Sequence, residues 1–252
     1  GLFFMILGQL CFAINDTLVK YSVKLTERDF STLNIIFIRG IFTSFFICII
    51  LFFFTNKGIK NIFTNPKSYL RALFEVLTAI FFFTGLILMP MADVYTLLMT
   101  TPFMVTLYAV IILKEKVGIR RWSAVTAGFI GVVIVINPKS LNFGYLFILP
   151  IIAAFFLTMR DAVTKDIVNK KNILEINLIT SIFVMIFAAI GLIIFNTDFN
   201  FLNIHLIFFS SIFLTIAYLF SVLTIYYAPL SLTASIRYSV IVFGIILGYL
   251  FL

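Results

Sequence analysis

Charge is scarce in this chain of 252 residues: Asp, Glu, Lys and Arg together make up 11% of it, where a soluble protein holds roughly 25%. Histidine occurs once, tryptophan once and cysteine twice. So small a polar complement excludes a water-soluble fold of this length, which has to keep a polar exterior. A disordered chain and a nucleic-acid-binding domain are excluded with it. Cys11 and Cys48 both lie inside apolar runs; they read as core residues with free thiols and not as a disulfide scaffold. One histidine, with no His-x-x-x-Asp or His-Glu-x-x-His pattern, argues against a lipid-modifying intramembrane enzyme and gives no reason to expect a metal or cofactor. The absence of a Walker-type glycine loop excludes an ATP-driven pump. What the chain has in excess is apolar surface, 63% of residues against roughly 45–50% in soluble domains. The sequence therefore reads as an all-α integral membrane protein. The 33 phenylalanines are a compositional habit, so an aromatic stripe is weak evidence for a site.

Each bilayer crossing takes roughly 20 mainly apolar residues. Windows of that length give nine spans, at about 1–22, 33–55, 70–89, 93–113, 120–137, 144–164, 174–195, 203–227 and 230–252. The runs are continuously apolar and not alternating, which favours helices over a barrel. Asn56-Lys57-Gly58, Asn65-Pro66-Lys67, Lys114-Glu115-Lys116 and Asn137-Pro138-Lys139 punctuate them, and the short hinges at Pro90 and Pro229 join antiparallel neighbours. With the N-terminus inside, twelve Lys and Arg fall on the cytoplasmic side (Lys57, Lys60, Lys67, Arg71, Lys114, Lys116, Arg120, Arg121, Arg160, Lys165, Lys170, Lys171) and four on the other (Lys20, Lys24, Arg28, Lys139). That bias predicts a multi-pass protein of the inner membrane with a cytoplasmic N-terminus.

The two halves echo each other. Asp16-Thr17-Leu18-Val19-Lys20 ends the first span, and Asp161-Ala162-Val163-Thr164-Lys165 ends the sixth, 145 positions later. The hinge at Pro90 is matched by Pro229, 139 positions on. Five helices per unit is an odd number, so the second copy enters the bilayer inverted. The expected units are 1–138 and 144–252, the second with four helices. By the same offset Leu252 matches Leu113, so a short turn with Glu and a tenth helix are expected beyond it.

At these residues the chain resembles the EamA-type family of the drug/metabolite transporter superfamily, whose members carry two five-helix repeats. Phe37-Ile38-Arg39-Gly40 puts an Arg early in the second span. Pro102 interrupts the fourth span, which ends Leu113-Lys114-Glu115 where the family commonly has Leu-Gly-Glu. Gly128-Phe129-Ile130-Gly131-Val132-Val133 precedes Asn137-Pro138, and Arg160-Asp161-x-x-Thr164-Lys165 ends the sixth span. Lys114 in place of glycine, and the absent tenth helix, are departures. The resemblance implies a permease that moves a small organic metabolite by alternating access; Arg237 with Tyr238 beside it suits an amino acid or similar zwitterion, and the alternatives are phosphorylated or nucleotide-type cargo and an intramembrane lipid-modifying enzyme. It also implies a central cavity on whose helices Gln9, Tyr95, Tyr218 and Tyr238 lie, each equally readable as a packing residue.

An ionisable side chain inside hydrocarbon is costly and faces a cavity or a partner. Arg237 and Glu75 fall at comparable depth toward one surface, Asp16 and Arg39 toward the other, so each is expected to pair with its neighbour in depth. Arg237 is assigned to substrate, holding a carboxylate or another anionic group; Glu75 is its partner or a proton carrier. Asp16, Arg39, Arg160 and Asp161 are assigned as structural or coupling charges. A channel would want a symmetric ring of charges, which this sequence lacks. Coupling to a proton or other ion, and assembly as a homodimer, are compatible with the sequence. His205 and Trp122 read as interfacial residues, Gly128 with Gly131 and Gly244 with Gly248 as small faces for close helix contact, and Pro102 and Pro150 as kinks.

Overall fold

The computed structural model describes residues 1–25, 32–54, 65–136, 144–169, 172–197 and 203–251. The expected breaks at Asn56-Lys57-Gly58 and Asn137-Pro138-Lys139 lie outside these. Every regular element among the described residues is helical: α1 (Leu2–Lys24), α2 (Thr32–Phe54), α3 (Pro66–Leu88), α4 (Met91–Leu98), α5 (Thr101–Ile111), α6 (Ile119–Ile136), α7 (Ile148–Ile167), α8 (Ile173–Ile194), α9 (Ile204–Tyr227), α10 (Leu230–Ala234) and α11 (Ser239–Phe251). Short 3₁₀ segments cover Gly144–Phe147 and Ser235–Tyr238. Eight stretches are long and apolar enough to cross a bilayer, and the 18-residue α6 fills the position of the remaining expected span. At about 1.5 Å rise per residue, 23-residue helices such as α1 and α3 span about 34 Å, enough for a hydrocarbon core of roughly 30 Å. The outer surface is apolar, with Phe52, Ile193 and Tyr249 projecting from it, while most of the buried polar residues are Thr, Ser and Arg. That is the arrangement of a multi-pass membrane protein.

Local sequence sets the helix ends. Asn65 starts α3 by accepting the Lys67 backbone N–H on its side chain at 3.0 Å, with Pro66 in the first turn; both are favoured there. Met89 and Ala228, each before a proline, are extended and stop α3 and α9. Two spans are broken. Pro102 has no N–H to give the Leu98 carbonyl, so the chain parts between α4 and α5, and the Thr101 hydroxyl donates to that carbonyl instead at 2.6 Å. The α10–α11 span opens into its 3₁₀ segment with no proline inside it. Pro150, expected to kink a helix, sits in the first turn of α7, where no backbone N–H is needed, and packs near Gly85 of α3.

Helices of the two halves interleave in matched pairs. α1 packs on α9 and α7 on α3; α2 packs on α8; α1 packs on α11 and α7 on α5; α4 packs on α11 and α10 on α5. Two lysines repeat one device. Lys20 Nζ donates to the carbonyls of Leu86 and Met89, closing the end of α3, and Lys165 Nζ donates to those of Ile225 and Ala228, closing the end of α9. Ile225 and Ala228 lie 139 positions after Leu86 and Met89. A cation on the last carbonyls of a helix satisfies acceptors that have no intrahelical donor and suits the helix dipole. After α5, Lys114 has φ +54°, in the left-handed region. A side chain costs about 1 kcal/mol there relative to glycine. Glu115 then accepts from the Ser231 hydroxyl at 2.6 Å and from its backbone N–H at 3.3 Å, capping the start of α10.

The expected glycine faces are corrected. Only one glycine of each pair makes a close contact, and in both cases with a tyrosine ring: Gly128 with Tyr238 and Gly244 with Tyr95. Among the described residues, a Cβ at Gly131 or Gly248 would meet nothing within 4 Å.

Candidate functional site

The helix breaks and the packed pairs enclose a cavity with about 1060 Å³ of empty space, mouth included. It is lined from both halves, by α1–α5 and by α7–α9, the 3₁₀ segment and α11. Of the ten residues singled out in the sequence, eight line it: Gln9, Asp16, Arg39, Glu75, Tyr95, Arg160, Tyr218 and Arg237. Asp161 lies just behind, fully buried. Tyr238 points elsewhere, donating to the Val125 carbonyl at 3.1 Å against Gly128.

The charges fall into two groups, one toward the end where α1, α3 and α8 begin (the near end), the other toward the end where α2, α4 and α9 begin (the far end). At the near end a continuous chain runs across the bundle. Tyr218 donates to Glu75 at 2.8 Å, and Arg160 donates to the other oxygen of Glu75 at 2.8 Å. Arg160 also grips Asp161 through Nε and Nη2 at 2.9 and 2.7 Å, and Arg237 donates to the second oxygen of Asp161. Two guanidinium and two carboxylate groups therefore neutralise one another, joining α3, α7 and the 3₁₀ segment. Arg71, buried one turn before Glu75, donates to the hydroxyls of Thr164 and Thr180.

The expected pairing of Arg237 with Glu75 is thus replaced. Asp161 takes Arg237 because the 3₁₀ turn carries residue 237 toward α7, and Arg160 is nearer Glu75. Sequence depth could not choose between two acids on different helices. Arg71 and Arg160, read as loop charges, are inside the bundle. Without them the count expected on the cytoplasmic side falls from twelve to ten, of which Lys57, Lys60, Lys170 and Lys171 lie outside the described residues.

The expected pair of Arg39 with Asp16 does not form either: no ion pair between them lies within 4.0 Å. Asp16 is held by neutral donors, the Asn15 side-chain amide and the Tyr95 hydroxyl, both at 2.7 Å. The Arg39 guanidinium lies over the face of Phe83, its central carbon 4.2 Å from the ring centroid. Among the described residues, its Nε and Nη1 have no hydrogen-bond partner. The Asn15–Asp16 contact has its counterpart in Arg160–Asp161, 145 positions on.

A protein-family model described as the EamA-like transporter family matches residues 1–137. The chain belongs to the EamA-like transporter family. An S-adenosylmethionine uptake transporter of Rickettsia prowazekii is 25% identical over 176 residues, 69% of this chain and 58% of that protein. A riboflavin transporter of Rhizobium johnstonii is 36% identical over 83 residues, 33% of this chain and 28% of that protein. One of Vibrio cholerae is 39% identical over 71 residues, 28% and 24% of the two chains. The chain thus spans less than two thirds of the length of each of these relatives. A solved crystal structure of a protein with 12% sequence identity superimposes with a TM-score of 0.75, covering 97% of this chain and 86% of that one, which is a likeness of fold.

Proposed function

We propose that this EamA-like chain carries a small zwitterionic metabolite with an aromatic or apolar body across the membrane by alternating access. The observation that carries the reading is the cavity itself, built at two helix breaks and lined from both halves of the chain. Discontinuous helices meeting at the interface of two halves are where secondary transporters hold cargo. Its walls combine Phe12, Phe82, Phe83 and Tyr218 with charges of both signs, a mixture suited to a molecule with one ring and two charged ends. The relatives named for S-adenosylmethionine and riboflavin support a ring-bearing cargo, and the first of these compounds ends in an amino acid.

Purified chain in proteoliposomes is expected to take up S-adenosylmethionine or L-phenylalanine, and each should raise its unfolding temperature by mass action. Uptake of riboflavin with no response to either amino-acid compound would overturn the zwitterion reading. No uptake of any of the three would overturn the transport reading for this panel.

The matched Lys20 and Lys165 caps support a division into two inverted units, 1–138 and 144–252, and the basic near end supports a cytoplasmic N-terminus in an inner membrane. In a Cys11→Ser, Cys48→Ser background, an impermeant thiol reagent added outside intact cells should label Asn196→Cys and spare Lys116→Cys. The opposite pattern would reverse the orientation.

A further inference from the structure

We infer that the far-end charges are the two poles of the binding site: Asp16 with Asn15 receives the ammonium of the cargo, and Arg39 with Thr43 receives its carboxylate. This rests on the permease reading above and assigns its substrate contacts.

The argument begins with the polar atoms that the fold leaves unsatisfied. Buried polar groups are nearly always hydrogen-bonded, and an orphaned one calls for a reason. On α2, Arg39 Nε and Nη1 and the Thr43 hydroxyl are buried without a partner. Residues four apart share one helix face, and both of these line the cavity. All of these α2 groups can donate. On α1 the unsatisfied atom is an acceptor, Asn15 Oδ1. Its amide nitrogen is committed to the Asp16 carboxylate at 2.7 Å, which fixes the oxygen as the free end. Each Asp16 oxygen takes one neutral donor and keeps capacity for another. Asn15 and Asp16 line the same cavity. One wall therefore offers donors and a cation, the other offers acceptors and an anion.

The near end supplies the internal comparison. There Arg160 stands where the far end has Asn15, and Asp161 where it has Asp16, and that carboxylate is neutralised by two guanidinium groups. Each near-end carboxylate thus has a guanidinium on it, and the atom left without a partner in that chain of charges is one donor, Arg237 Nε. At the far end, among the described residues, Asp16 has no cation and Arg39 no carboxylate within 4.0 Å. A ligand with both charges would satisfy both, the guanidinium through its planar fork, with Phe83 holding that fork from behind.

The test uses full chain in detergent with two probes, S-adenosylmethionine and its decarboxylated analogue, which keeps the ammonium and lacks the carboxylate. Affinities are read by calorimetry. Native protein should prefer the intact compound. Arg39→Met should weaken binding of intact S-adenosylmethionine by about tenfold or more and leave the decarboxylated analogue unchanged. Asp16→Asn should weaken both. Thr43→Val, a change small enough to leave folding intact, should weaken only the intact compound, by about threefold. If Arg39→Met and Thr43→Val weaken both probes equally, or Asp16→Asn weakens neither, the assignment of poles is wrong while the permease reading stands. If native protein binds neither probe but takes up riboflavin, the zwitterion reading falls and this assignment with it.

Discussion

Arg160→Met is expected to cost about 3–5 kcal/mol of stability, the usual penalty for removing one partner of a buried ion pair. Arg160 is 4% exposed and is the central member of the near-end chain, with Glu75 on one side and Asp161 on the other. Without it, Glu75 keeps only the Tyr218 hydroxyl and Asp161 keeps only Arg237. Glu75 then stays buried with no ion-pair partner, and the cation one turn away on α3, Arg71, is committed to the hydroxyls of Thr164 and Thr180. The penalty is for the stranded charge and not for the lost contact, because a complete buried pair is worth little net. The double variant Arg160→Met, Glu75→Gln removes one charge of each sign, leaves Arg237 on Asp161, and keeps an acceptor for Tyr218. It should recover most of the loss. Unfolding temperature in detergent and the monodisperse fraction after extraction decide the matter. A single variant as stable as native protein, or a double variant no better than the single, would mean that the chain of charges does not hold the near end together.

Gly40→Val is expected to separate α2 from α8. A Cβ at position 40 would lie 2.8 Å from the Met185 Cβ, 2.9 Å from its Cα and 3.1 Å from its backbone nitrogen. Backbone atoms cannot turn aside as a side chain does, so the helices must move apart. Overpacking of this kind costs about 1–3 kcal/mol, and a β-branched residue against backbone belongs at the upper end. Because Gly40 follows Arg39 and lines the same cavity, uptake should fall as well. Gly248→Ala is the control: nothing lies within 4 Å of its Cβ position, and replacing a mid-helix glycine by alanine gains about 0.5–1 kcal/mol. If both variants unfold at the native temperature, the close approach of α2 and α8 is not what the glycine serves.

Several features were determined by the sequence alone. The length of each apolar run sets the helix, because a single continuously apolar segment in hydrocarbon can satisfy its backbone polar groups within itself only as a helix. Asn65-Pro66, Pro90, Pro102 and Pro229 place four of the helix ends by geometry local to each residue. The five-residue echo of Asp16–Lys20 in Asp161–Lys165 located the two lysine caps without knowledge of what they hold. Arg39, Glu75, Asp16 and Arg237 stood out because a charge inside a membrane segment is rare and expensive.

Tertiary structure alone decided who pairs with whom. Depth along a helix gives one coordinate of a side chain; rotation about the axis and the neighbour it faces are set by packing. That is why Arg237 meets Asp161 and not Glu75, and why Arg71 and Arg160, at the edges of apolar windows, belong to the interior. The break at Ser235–Tyr238 carries no proline or glycine to announce it, and it is this turn that carries Arg237 to α7. The contrast between a near end whose charges neutralise one another and a far end where Asp16 and Arg39 stand apart is a property of distances between helices, which no single stretch of sequence contains.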